Sequence, residues 1–195
     1  MPRFAHALTL LVATGFAMPP ALASAKEHAG HDAAKPAMAG HAMPGMVHAK
    51  AVDAAGKDIG MVMLEQTPGG VLITTDIKGL PQGEHGFHFH EIGKCEPAMK
   101  FTTAGGHFNP SAHKHGIKVE GGPHGGDRPN QFVGSDGMLK TQVVNSAVML
   151  GDGTGSVKDA DGTALIIHAD ADDYTTQPTG NAGGRIACAV ISAPK

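Results

Sequence analysis

The stretch IGMVMLEQTPGGVLITTDI, residues 59–77, contains two short apolar and β-branched runs, Ile59 to Leu64 and Val71 to Ile77. They flank the turn former Pro68-Gly69-Gly70. Runs of that length on either side of a glycine turn read as β-strands. The pattern recurs at Gly86 to His90, Gln131 to Val133, Met138 to Val144, Ala164 to His168 and Arg185 to Ile191. Asp136-Gly137, Asp152-Gly153 and Asp161-Gly162 supply further turns. No segment of 3.6-residue periodicity separates the runs, which argues against βαβ units and for an all-β antiparallel sandwich or barrel. Two stretches depart from the pattern, Gly93 to about Pro129 and Ala169 to Gly184. Long irregular loops in a compact domain are usually functional.

The whole chain has 195 residues, enough for one domain and a short appendage. Its formal net charge of −3 lacks the basic footprint of a nucleic-acid binder, and 4% aromatic content without Trp gives no stacking platform. The unusual feature is 13 His and 10 Met beside only 2 Cys, which points to metal.

Residues 1–23 read as a secretory signal peptide. Arg3 gives a positive start, Phe4 to Met18 are largely apolar, Pro19-Pro20 break the run, and Ala21-Leu22-Ala23 offer small residues for cleavage after Ala23 or Ala25. The uncharged run is too short for a membrane span. Export places the protein in an oxidising compartment, where Cys95 and Cys188 can pair. Residues 24–47 turn to Ala, Gly, Pro, His and Met without periodicity and read as a flexible tail. His28, His31, Met38, His41, Met43 and Met46 in it, imidazoles and thioethers together, suit accessory copper capture. The domain proper is 48–195.

Most remaining histidines fall in or beside the two irregular stretches. His88 and His90, two apart in a strand, project from one face while Phe89 points to the other. His107, His115, His124, Asp127 and His168 follow. Four nitrogens suit Cu(II), and three nitrogens with a carboxylate make a closed zinc site. Two such sites need eight ligand positions from seven residues, so one histidine would bridge both metals. His85 and His113 could substitute in such an assignment.

Gly86-Phe87-His88-Phe89-His90, Gly106-His107-Phe108-Asn109-Pro110, His124-x-x-Asp127 and Gly180 to Cys188 together resemble the copper/zinc superoxide dismutases, in order and interval, from about Val47 to the C-terminus. The resemblance implies a flattened eight-stranded antiparallel Greek-key β-barrel, an immunoglobulin-like sandwich architecture, with two long functional loops. It implies one copper per subunit on His88, His90, His107 and His168, and one zinc on His107, His115, His124 and Asp127. His107 becomes the bridge and a catalytic residue. Arg185 would position superoxide, Asp172 would link His88 to His115 behind the metals, and Cys95 and Cys188 would form a disulfide. The export signal and the short uncharged segment Tyr174 to Thr179 look like the bacterial periplasmic branch, supplied by a periplasmic copper donor. Monomer and homodimer both stay open.

Lys94, Lys100 and Lys114 are candidates for steering an anion. Two departures from the family pattern stand out: Arg128 follows Asp127 in place of an apolar residue, and Ala189 replaces a glycine. The competing readings are an exported copper and zinc buffer, which has no need of Arg185, and an adhesive β-sandwich, which gives seven ligands no task.

Overall fold

In the strand Gly70–Lys78, Val71, Ile73, Thr75 and Ile77 are buried and the residues between them are more exposed, the period-2 alternation of a strand with one face on a core. A computed structural model describes residues 45–195, and this strand is the third of eight. The strands are β1 Met46–Asp53, β2 Asp58–Thr67, β3 Gly70–Lys78, β4 Gly83–His90, β5 Asp127–Val133, β6 Met138–Asn145, β7 Thr163–His168 and β8 Arg185–Ser192. Two short 3-10 turns, Pro97–Met99 and Thr102–Ala104, interrupt the long loop after β4.

All pairings are antiparallel, in the order β5-β4-β7-β8-β1-β2-β3-β6. The end strands β5 and β6 lie against each other, so the sheet curls into a nearly closed barrel. The jump from β3 across to β4, and the return from β5 to β6 beside β3, give the Greek-key connection. Val62, Leu64, Ile73, Ile77, Phe87, Phe89, Leu139 and Leu165 fill the interior. The architecture agrees with the expected eight-stranded barrel.

Three boundaries differ from the sequence reading. β1 carries no apolar run because its buried residues are only Ala49 and Ala51, so a hydrophobicity pattern passes over it. It starts at Met46, two residues inside the stretch assigned to the tail; His28, His31, Met38, His41 and Met43 lie outside the described residues. The second difference is β5, which takes in Asp127-Arg128-Pro129-Asn130, assigned to a loop. Pro129 is tolerated because it falls, with Asn130, in the irregularity between the His85–Gln131 and Phe87–Arg128 pairs, where β5 makes no pairing with β4. Third, residues 146–162 between β6 and β7 form another irregular connection besides the two expected.

The functional face is built on the outside of β4. Phe87 and Phe89 point into the barrel, and His88 and His90 point out, yet all four are fully buried. The segments after β4 and after β7 fold over that wall. Gly86 lets one of them approach, because a Cβ there would meet the Ala182 Cβ at 2.9 Å and the His88 ring at 3.1 Å. A second small cluster, Phe101, Ala104, Ala164, Ile166 and Cys188, seats the loop after β4 on β7 and β8. Cys95 is joined to Cys188 there by a disulfide, Cα to Cα 5.7 Å. Among the described residues no helix is long and apolar enough to cross a membrane.

Candidate metal centre

His88 and His90 come from β4, and His168 from the end of β7. The pairing β4–β7–β8 sets His88 opposite Ile166 and His168 opposite Arg185. His107 enters from the covering loop through an isolated bridge to His90. The ligand atoms of His88, His90, His107 and His168 lie within 4.8 Å of one another, and so do those of His107, His115, His124 and Asp127. All seven residues are buried, and His107 belongs to both groups. The structure thus brings together every residue singled out for the two sites. It leaves out the two alternates. His85 places its ring nitrogens 2.8 and 2.9 Å from the carbonyls of His168 and Pro81, and His113 is exposed with Nδ1 3.1 Å from Pro123 O.

The outer contacts decide which nitrogen of each ring faces inward. His88 Nε2–H donates to Asp172 Oδ2 at 2.9 Å, leaving Nδ1 as a buried lone pair without a partner. His115 Nε2–H donates to Asp172 Oδ1 at 3.0 Å; its Nδ1 lies 3.0 Å from Asp127 Oδ2 without hydrogen-bond alignment. His90 Nδ1–H donates to Gly105 O at 3.0 Å and His168 Nδ1–H to Gly183 O at 3.3 Å. Their Nε2 atoms then face each other across 3.4 Å, lone pair to lone pair. His107 has Nδ1 2.8 Å from Asp127 Oδ1, and its Nε2 is buried with no partner.

Such an arrangement costs free energy unless a cation sits between the donors. In the second group the separations His107–Asp127 2.8 Å, His124–Asp127 3.4 Å and His124–His107 3.5 Å bracket the roughly 3.3 Å edge of a tetrahedron with bonds of about 2.0–2.1 Å. The residues fit two metal ions: nitrogen only in one group, three nitrogens and a carboxylate in the other.

Electrostatics follow the same division. Burial pushes His90 well below the ordinary histidine value, His107 down to about 4 and His168 down to about 3, with neighbouring rings adding to the effect. These rings stay neutral and available as donors. Burial alone would raise Asp127 and Asp172. Contacts from His107, His115 and His124 to the first, and from His115 and His88 to the second, outweigh it and keep both well below the usual carboxylate range. Burial opposes a charge on His115 as well, yet these two carboxylates lift it to about 9.

Arg185 is half-buried. Nη1 donates to Phe101 O and Nη2 to Gly105 O, each at 2.6 Å, and no carboxylate lies within ion-pair distance among the described residues. Phe101 presents its carbonyl from a left-handed backbone, φ 58°, held by a fully buried ring.

A family model described as copper/zinc superoxide dismutase matches residues 59–191. The chain belongs to the copper/zinc superoxide dismutase family. A superoxide dismutase [Cu-Zn] of Aquifex aeolicus is 47% identical over 146 residues, 74% of this chain and 85% of the relative. Among solved structures, a SOD-like protein from Bacillus subtilis aligns with TM-score 0.71 at 37% identity, covering 74% of this chain and 97% of that one. The Cu/Zn superoxide dismutase from Brucella abortus aligns with TM-score 0.62 at 30% identity, covering 75% and 99%. Within this superoxide dismutase family member, sequence reasoning missed the amide clamps behind the centre. Gln177 accepts the His115 N–H at 2.8 Å and donates to the His115 carbonyl at 2.8 Å. Asn130 pairs with the backbone of Asp172 in the same two-way manner, at 2.8 and 2.9 Å. Nothing in a lone Asn or Gln announces such a contact; only the meeting of distant loops creates it.

Proposed function

We propose that this protein dismutes superoxide to molecular oxygen and hydrogen peroxide, with His88, His90, His107 and His168 holding copper and His107, His115, His124 and Asp127 holding zinc. The observation that carries the reading is His107, a buried ring that belongs to both donor groups, with Nδ1 beside Asp127 and His124 and Nε2 buried without a partner. When bound, copper supplies one-electron oxidation and reduction between Cu(II) and Cu(I), while zinc supplies charge and structure without redox chemistry. His107 Nε2 is the atom at which the chain can hold a proton and yield it to the departing peroxide. Asp127 keeps that ring turned so that Nε2 faces the first group. Arg185, fixed by two carbonyls and lacking a carboxylate partner among the described residues, offers its charge and remaining N–H groups to the diatomic anion. Lys94, Lys100 and Lys114 are exposed and available for steering.

The test is superoxide decay by protein reconstituted with both metals, beside His168→Ala and Arg185→Ala. Wild type should be active, His168→Ala should fall to near background, and Arg185→Ala should lose about tenfold or more, as expected when a positioned charge is removed. Background decay by the loaded wild type would leave a metal buffer as the remaining reading.

Residues 1–23 act on this reading as a signal peptide that delivers the chain to the periplasm, and residues 24–45 as a copper-gathering tail. Deleting residues 24–45, which spares β1, should lower copper uptake when copper is scarce and leave turnover of the loaded enzyme intact. Equal uptake by the two forms would refute the role of the tail.

A further inference from the structure

Arg128 and Arg185 are the two described arginines, and neither has a carboxylate within ion-pair distance among the described residues. Arg185 stands on the side of the nitrogen-only group. Arg128 stands beside the other group, at the seam between β5 and β6. Its Nε is buried without a hydrogen-bond partner, and its Nη1 reaches only Val144 O, at a long 3.4 Å. The adjacent Asp127 makes no ion pair with it: its oxygens are turned to His107, His115 and His124 and to the N–H groups of Gly116 and His124.

Arg128 lines a cleft of about 460 Å³ with no Asp or Glu among its lining residues. Ser111, Ser146 and Thr154 bring hydroxyl groups to it, and His124 lies along one side. Because Nδ1 of His124 turns to His107 and Asp127, its ring hydrogen belongs on Nε2, the nitrogen left for the cleft. One permanent charge ringed by neutral donors suits a ligand with several acceptor oxygens and a small size.

We propose that this cleft is a binding site for a small oxyanion of the phosphate class, with Arg128 as its charged anchor. The site is separate from the one where Arg185 receives the substrate anion, and it explains why a charged residue occupies position 128.

Zinc-loaded protein with copper held as Cu(I) is diamagnetic, so amide NMR shifts can be followed while inorganic phosphate is added against sodium chloride at matched ionic strength. Phosphate should give saturable shifts at Ser146, Ala147 and Gly155, distinct from any shifts beside Arg185. Arg128→Leu should weaken binding at the cleft about tenfold or more, and Arg128→Lys, which keeps the charge and loses the fork, severalfold. If Arg128→Leu does not fold, Arg128→Lys alone decides, and unchanged affinity in it overturns the proposal. Absence of saturable cleft shifts in the wild type, or their reproduction by chloride, overturns it equally.

Discussion

His115 is gripped on every side: its ring between Asp127 and Asp172, its N–H and carbonyl by the one side chain of Gln177. Gln177 belongs to the loop after β7 and His115 to the loop after β4, so this amide ties together the two covering segments. Partners behind a ligand commonly change metal affinity 10–100-fold. Gln177→Ala should therefore weaken zinc binding by about tenfold, toward the lower end because the contact is to the backbone. Copper affinity should change little. Competition with a chromophoric chelator measures both, and equal zinc affinity in the variant would show the clamp to be idle.

At the scale of the element, the segment from Gly93 to Gly106 holds Arg185 in place. It supplies the carbonyls of Phe101 and Gly105 that aim the guanidinium, and Gly105 also receives the His90 ring hydrogen. Three things pin this segment: the buried Phe101 ring, the Glu91 carboxylate accepting the Gly106 N–H at 2.8 Å, and the Cys95–Cys188 disulfide. The disulfide closes a loop of 93 residues. Cys188→Ser should cost about 4–5 kcal/mol of stability on the chain-entropy account. It should also lower turnover while leaving both metals bound, because the loop carrying the two carbonyls loosens before the histidines do. Denaturant unfolding and metal analysis of the same sample check the two parts separately.

Over the whole molecule, the centre makes the metal-free protein sensitive to pH from both sides. His107 and His168, pushed down to about 4 and about 3, bind fewer protons folded than unfolded below the ordinary value of 6.5. Stability therefore falls as pH drops from 6.5 toward those values. Asp127 and Asp172, held low, act in the same sense: their contribution is present above the ordinary value of 3.8 and is lost as pH falls below it. His115 acts in the opposite sense. Raised to about 9, it stabilises fully below 6.5 and its contribution is lost as pH rises through 9. The denaturation midpoint of the metal-free protein should peak near neutral pH and decline on both sides, more steeply in acid, where more groups act together. A flat profile between about pH 4 and pH 7 would contradict this account.

Seven of the eight strands were legible because each has an apolar or β-branched run with a turn former at its end, as Ile59 to Leu64 and Val71 to Ile77 show around Pro68-Gly69-Gly70. β1 was not, because alanines at 49 and 51 fill its inward positions without standing out from their neighbours. The metal-ligating residue types and the pairing of His88 with His90 on one strand face are local properties, carried by composition and the period of two. What the chain alone could not decide is which ring nitrogen faces inward, that His85 and His113 stand aside, and that Gln177 and Arg128 come to rest beside the second donor group. Those depend on loops from opposite ends of the chain meeting over one wall of the barrel. Contacts of that kind are set by three-dimensional packing and leave no period in the sequence.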